Sequence, residues 1–140
     1  MRLLMVCLGN ICRSPLAEGA IRAQLRRRRL DWVEVDSAGT GGWHAGEPPD
    51  RRSIAIAADA GVDIRAQRAR KLRQNDFTDF DWLLCADRSV LRDVRAMAPA
   101  GTSKAIVQRL YQEVAVAVKK PDVLEWMKQN GFDPVGSTPE

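Results

Sequence analysis

Cys7 and Arg13 frame a C-x5-R spacing in "CLGNICRSP" (Cys7–Pro15), and Ser14 follows the arginine directly. A thiol, a guanidinium and a hydroxyl at that spacing suit chemistry on an oxyanion. A loop that enters a helix can turn free N–H groups toward one point, at the positive end of the helix dipole. Leu8, Gly9, Asn10, Ile11, Cys12 and Arg13 would form that nest. The planar fork of Arg13 can grip two phosphate oxygens. The same field favours a Cys7 thiolate, and thiolate attack on phosphorus gives a phosphocysteine. Loop N–H groups and Arg13 would hold the equatorial oxygens of the transferring phosphoryl. The Ser14 hydroxyl could donate to the sulfur and stabilise it as a leaving group when water attacks. Gly9 is expected to take unusual backbone angles, and Asn10 to accept a left-handed one while its side chain pins the loop. Without a strand before it and a helix after it, the same spacing would read as a buried cysteine beside a surface arginine.

Those flanking elements are present in the pattern. "RLLMVCL" (Arg2–Leu8) reads as a buried strand, and Ser14-Pro15 as a capped helix start. Leu16, Ala20, Ile21 and Leu25 recur at helical spacing, so that helix should run to about Arg28. "WVEVDSAGT" (Trp32–Thr40) alternates like a strand, and "GGWHAGEPPD" is a loop. "DRRSIAIAADAGV" is a helix closed by Gly61, "DFDWLLCAD" (Asp79–Asp87) holds another buried strand, and "RSVLRDVRAMAP" starts a helix that Pro99 stops. Alternating strands and helices imply an α/β domain with a parallel sheet covered on both faces. Beyond Pro99, Ile106, Leu110, Val114 and Val118 lie on one helical stripe. "PDVLEWMKQNG" gives a second helix and "FDPVGS" a short edge strand, since Pro134 forbids a central one.

The 140 residues suit one domain, 1–140, with one core. Apolar runs are too short to span a bilayer, and the N-terminus has no small-residue cleavage site, which points to the cytoplasm. Cys7, Cys12 and Cys85 are too few for a disulfide framework. Much of the net charge of +4 comes from Arg26–Arg29, read as a solvated helix end rather than a nucleic-acid patch because no aromatics are interleaved. No nucleic acid, membrane, metal or cofactor is expected.

"VCLGNICRSPLAEG", "DSAGTGGWHAGEPPDRRS" (Asp36–Ser53) and "QRARKL…DFTDFDWLLCADRSVLRDV" (Gln67–Val94) resemble the low-molecular-weight protein tyrosine phosphatases over residues 1–97. The resemblance implies a three-layer, flavodoxin-like domain with strand order near 2-1-3-4. It makes residues 7–14 the phosphate-binding loop, Cys7 the nucleophile, Arg13 the clamp, and Asn10 and Ser14 the supports. Trp43 would wall an aryl pocket. His44 is structural or incidental. The resemblance admits a Cys7–Cys12 disulfide under oxidation, beside the reading of Cys12 as loop packing.

The family's general acid, an Asp in a D-P-aromatic-aromatic motif, has no counterpart here. Its task is to protonate a poor phenolate leaving group. Asp122 in "PDV" lies at about the right distance along the chain, where an acid would equally support a helix start. Asp133 in "FDPV" precedes Pro134 without aromatics and reads also as a turn residue. The tail Ala98–Glu140 resembles instead the near-C-terminal segment of Bug-type tripartite tricarboxylate solute receptors, through "PAGTSKAIV", "PDV" and "GFDPVGSTPE". A recombined or engineered chimera is therefore expected, with 98–140 supplying a helix–helix–strand piece. The expected function is hydrolysis of phosphotyrosine or aryl phosphates, impaired by the missing motif, with phosphate or sulfate binding in the loop. The alternatives are a scaffold that binds oxyanions without useful turnover and, lower, an arsenate reductase. The last needs further cysteines, and Cys85 reads as core packing.

Overall fold

The computed structural model describes residues 1–101. Its centre is β1 (Arg2–Cys7), in which Leu4, Met5, Val6 and Cys7 are all buried. A strand apolar on both faces is the mark of a central parallel strand. It pairs in parallel with β2 (Glu34–Gly39), Leu3 opposite Val35, and with β3 (Trp82–Cys85), Leu4 opposite Leu83. The order β2-β1-β3 agrees with the first three strands of the expected order. The fourth, in "FDPVGS", lies outside the described residues, as do both tail helices.

Side chains alternate across each strand, so the sheet has two different faces. Leu4, Val6 and Ala38 point into a core closed by Leu72, Phe80, Val90 and Val94. The last two come from α4 (Arg88–Met97). On the opposite face, Cys7 and Ser37 meet Ser14 and Glu18 of α1 (Arg13–Arg28). Helices thus cover both faces. α2 (Arg51–Asp59) packs on α1, and its N-cap Asp50 accepts from the Arg52 N–H at 2.9 Å. Asp87 caps α4 by accepting from the Val90 N–H at 2.8 Å.

Several expectations need correcting. β1 stops at Cys7, because the chain turns outward at Leu8, which is exposed. β2 begins at Glu34 rather than Trp32: the register starts at Arg2↔Glu34, and only the N-terminal amine reaches back to the Trp32 carbonyl. β3 is half-buried, not buried, since it borders the described sheet. The four-residue helix α3 (Asp76–Asp79) is too short to show a period. α2 ends as expected: its last helical residue is Asp59, and Gly61, left-handed at φ 71°, closes it with its N–H on the Ala58 carbonyl.

The largest difference concerns α1. Its N-cap is Cys12, without a side-chain cap bond, and the Ser14 hydroxyl turns inward instead. Ala20 is exposed, while Leu16, Ile21 and Leu25 are only half-buried. The buried face is Ser14, Pro15, Glu18 and Gly19. Close approach explains the choice: a Cβ on Gly19 would stand 2.5 Å from the Ile64 Cγ2. Arg26–Arg28 occupy the last turn and are exposed, as a solvated helix end requires.

Candidate active site

β1 ends by placing Cys7 beneath a loop that enters α1, the geometry that aims loop N–H groups at one point. The Cys7 thiol is 3% exposed. Its sulfur accepts from the Asn10 N–H at 3.2 Å and lies 3.0 Å from the Ser14 Oγ. Asn10 takes the left-handed backbone at φ 56°; Gly9 does not. The need for glycine at position 9 is space: a Cβ there would come within 3.2 Å of the His44 Cδ2.

The Asn10 side chain is buried and every one of its amide partners is accounted for. Its Nδ2 donates to the Ser14 Oγ and to the Ser37 Oγ, both at 2.9 Å. Its Oδ1 accepts from the Arg70 N–H at 2.8 Å. Ser37 in turn donates to the Glu18 Oε2 at 2.6 Å. Burial raises the Glu18 carboxyl above its ordinary range, against the pull of Ser37 and Arg22. Arg70 is clamped by Asp36 at 2.8 Å and Asp76 at 2.9 Å, which fixes the segment that meets Asn10.

Arg13 is half-exposed and paired with Asp87. That hydrogen bond raises the guanidinium. The Asp87 carboxyl is held low, first by the Val90 N–H that it caps and then by Arg13. Asp87 thus ties the arginine of the loop to the start of α4.

The 40–50 segment is bolted to the same loop. Thr40 N–H donates to the Cys7 carbonyl at 2.9 Å, Gly41 N–H to Leu8 at 2.8 Å, and Asp50 N–H to Ile11 at 2.8 Å. Trp43, 64% exposed, lies on Gly41, where a Cβ would collide with its ring at 1.9 Å. The His44 Nδ1 meets the Glu47 Oε2 at 2.8 Å, and its ring edge rests against Gly9. Of the two readings of His44, structural or incidental, this contact with the loop fits the structural one.

The structure therefore brings together Cys7, Asn10 and Ser14, and sets Leu8, Gly9, Ile11, Cys12, Arg13 and Trp43 around them. Cys7 and Cys12 are both free thiols. Asp122 and Asp133 lie outside the described residues. Glu18, Ser37, Arg70 and Asp87 have no place in the motif. The i, i+4 spacing of Ser14 and Glu18 on one helix face is the only local hint of them. Among the described residues no His/Cys/Asp/Glu group is arranged to hold a metal, and no helix is long and apolar enough to cross a membrane.

Comparison with known proteins places the arrangement. A low-molecular-weight protein-tyrosine-phosphatase of Streptomyces coelicolor is 44% identical over 110 residues, covering 78% of this chain and 66% of the relative. A low molecular weight phosphotyrosine protein phosphatase of Schizosaccharomyces pombe is 39% identical over 104 residues, covering 73% and 66%. The crystal structure of YfkJ from Bacillus subtilis superposes with a TM-score of 0.70 at 37% identity, covering 75% of this chain and 65% of that one. The chain thus spans just under two thirds of the length of these relatives. The family description "Low molecular weight phosphotyrosine protein phosphatase" matches residues 2–132, well into the tail that resembles the solute receptors. By fold, loop and extent of match the chain belongs to the low molecular weight phosphotyrosine protein phosphatase family.

Proposed function

We propose that the protein hydrolyses aryl phosphate monoesters, phosphotyrosine foremost, through a phosphocysteine. The observation that carries this reading is the Cys7 sulfur, buried at the base of the loop with the Asn10 N–H and the Ser14 hydroxyl on it. Both contacts suit a thiolate. In the first step the sulfur attacks phosphorus, the P–S bond forms, and the bond to the aryl oxygen breaks with its electron pair leaving on that oxygen. The loop N–H groups hold the phosphoryl oxygens. Arg13 turns from Asp87 to grip them. In the second step water attacks phosphorus and gives its proton to the group that protonated the aryl oxygen, the P–S bond breaks with its electron pair on sulfur, and the Ser14 hydroxyl stabilises the departing thiolate. Trp43, on the rim with its ring exposed, supplies an aromatic wall.

Protonation of the aryl oxygen falls to a group beyond the described residues, Asp122 in our reading. Without the family's aromatic motif around it, turnover should depend steeply on leaving-group acidity. The test is p-nitrophenyl phosphate hydrolysis by the parent and by Cys7→Ser, followed by phenyl phosphate and phosphotyrosine. We expect the parent to turn over, Cys7→Ser to lose all measurable turnover, and the poorer leaving groups to react more slowly. A folded parent without turnover overturns the reading.

In that event the second reading takes over: the loop binds oxyanions, and Ala98–Glu140 is a recombined tail. The receptor-like pattern of that segment is the observation behind it. Protection of the fold by phosphate without hydrolysis would mark it. Arsenate reduction is disfavoured, because a disulfide relay needs further cysteines and Cys85 packs against the core, where burial raises its thiol. Under the phosphatase reading we expect a cytoplasmic protein, with no nucleic acid or membrane as partner.

A further inference from the structure

A cavity of 290 Å³ lies between α1 and residues 62–68, and none of residues 7–14 lines it. Glu18, Arg22 and Arg26 recur every fourth residue and form its α1 wall. Asp63, Gln67 and Arg68 line it from the other segment, and Asp36 of β2 reaches it too.

Each carboxylate here already has its own arginine. Glu18 Oε1 meets Arg22 at 3.0 Å, Asp36 meets Arg70 at 2.8 Å, and Asp63 meets Arg65 at 2.7 Å. Two guanidiniums are left over. Among the described residues Arg26 has no hydrogen-bond or ion-pair partner on its side chain. Arg68 uses only Nη1, on the carbonyls of Arg65 and Gln67. A cationic ligand would therefore meet two unmatched cations and no unmatched acid, whereas an anionic one would meet two planar forks. Gln67 adds a third feature. Its Nε2 donates to the Pro15 carbonyl at 3.2 Å, while its Oε1, closed to bulk water, has no donor on it. Such an acceptor is costly to leave unmet, and an O–H carried by a ligand would satisfy it.

We propose that this cavity binds a compact hydroxylated dianion, its charged groups held by Arg26 and Arg68 and its hydroxyl given to Gln67. A short hydroxy-dicarboxylate and a small phosphate ester share that chemistry. Either would tie α1 to residues 62–68 and stabilise the fold as it fills the cavity. The proposal does not depend on the phosphatase reading, and its test does not need hydrolysis.

Malate and glycerol 3-phosphate are titrated separately into the isotope-labelled full chain. Amide NMR shifts and melting temperatures follow the binding. We expect saturable shifts at Gly19, Arg26 and Gln67 and a rise in melting temperature with at least one of the two. Malate alone would identify a dicarboxylate, glycerol 3-phosphate alone a phosphate ester. Arg26→Met and Arg68→Met should each weaken binding about 10-fold, the lower end for one charge-assisted hydrogen bond. Arg27→Met removes a neighbouring charge outside the cavity and should leave binding unchanged. Shifts confined to residues 9–13 overturn the proposal, because the dianion would then only enter the Cys7 loop. Absence of saturation with both probes overturns it too, as does an equal loss in Arg27→Met. Arg68 also bonds its own backbone segment, so if Arg68→Met does not fold, Arg26→Met against Arg27→Met decides.

Discussion

Asn10 combines a left-handed backbone with three side-chain hydrogen bonds, and the two contributions are separable. Asn10→Gly keeps the backbone and loses the bonds. Asn10→Ala loses both, and the left-handed conformation costs an L-residue roughly 1–2 kcal/mol more. We expect Asn10→Ala to lower unfolding free energy by at least about 2 kcal/mol, and Asn10→Gly by less, because buried partners are left unmet in each. Urea titration of the two variants checks this; equal losses would show that the backbone angle carries no weight. Cys85 gives a second test at a single side chain. With its thiol pushed up to about 12, it should stay unmodified at pH 8 under iodoacetamide in the folded protein and react once urea unfolds it. Cys7, Asn10, Arg13 and Ser14 were readable from residue type and spacing because one loop contains them. Ser37, Arg70 and Asp87 were not, because their contacts with that loop span 27, 60 and 74 residues.

α1 shows why helix existence was legible and helix orientation was not. Periodic apolar residues announced the helix, yet its buried side is made of small and polar residues that approach the sheet closely. Hydrophobic patterning ranks faces by apolarity and takes no account of the distance between backbones. Gly19→Ala makes the point measurable. Alanine in a helix interior ordinarily stabilises by up to about 1 kcal/mol. Here the added methyl would meet the Ile64 side chain at 2.5 Å, and overpacking costs typically about 1–3 kcal/mol. Crowding therefore wins, and the melting temperature of Gly19→Ala should fall; a rise would mean that Ile64 moves aside freely. The caps of α2 and α4 follow local rules, with Asp50 and Asp87 just before the first turn. β2 followed its alternation only where β1 was there to pair with it, from Glu34 onward.

Across the described fold the displaced carboxyls divide by sign. Asp50, Asp63 and Asp87 are held low, Asp63 at about 2 by the Arg65 side chain and N–H. A lowered carboxyl contributes stability above its unfolded value and loses it as pH falls through the folded one. Glu18 is raised by burial, so its contribution is present below its unfolded value and lost as pH rises through the folded one. Urea midpoints should therefore drop between about pH 4 and pH 2. Glu18→Gln should leave that acid limb in place and remove the Glu18 share of any decline toward neutral pH. An acid limb unchanged in Asp87→Asn would show that Asp87 contributes none of it. A different consequence follows from the way Asn10 is held. Its side chain bonds to β2 through Ser37 and to the backbone at Arg70, so the loop conformation is not encoded within Cys7–Arg13 alone. The motif is not portable. Transplanted to the strand–helix junction of another scaffold, the same seven letters would relax to a different shape unless a serine on the neighbouring strand and a backbone N–H beside it travelled along.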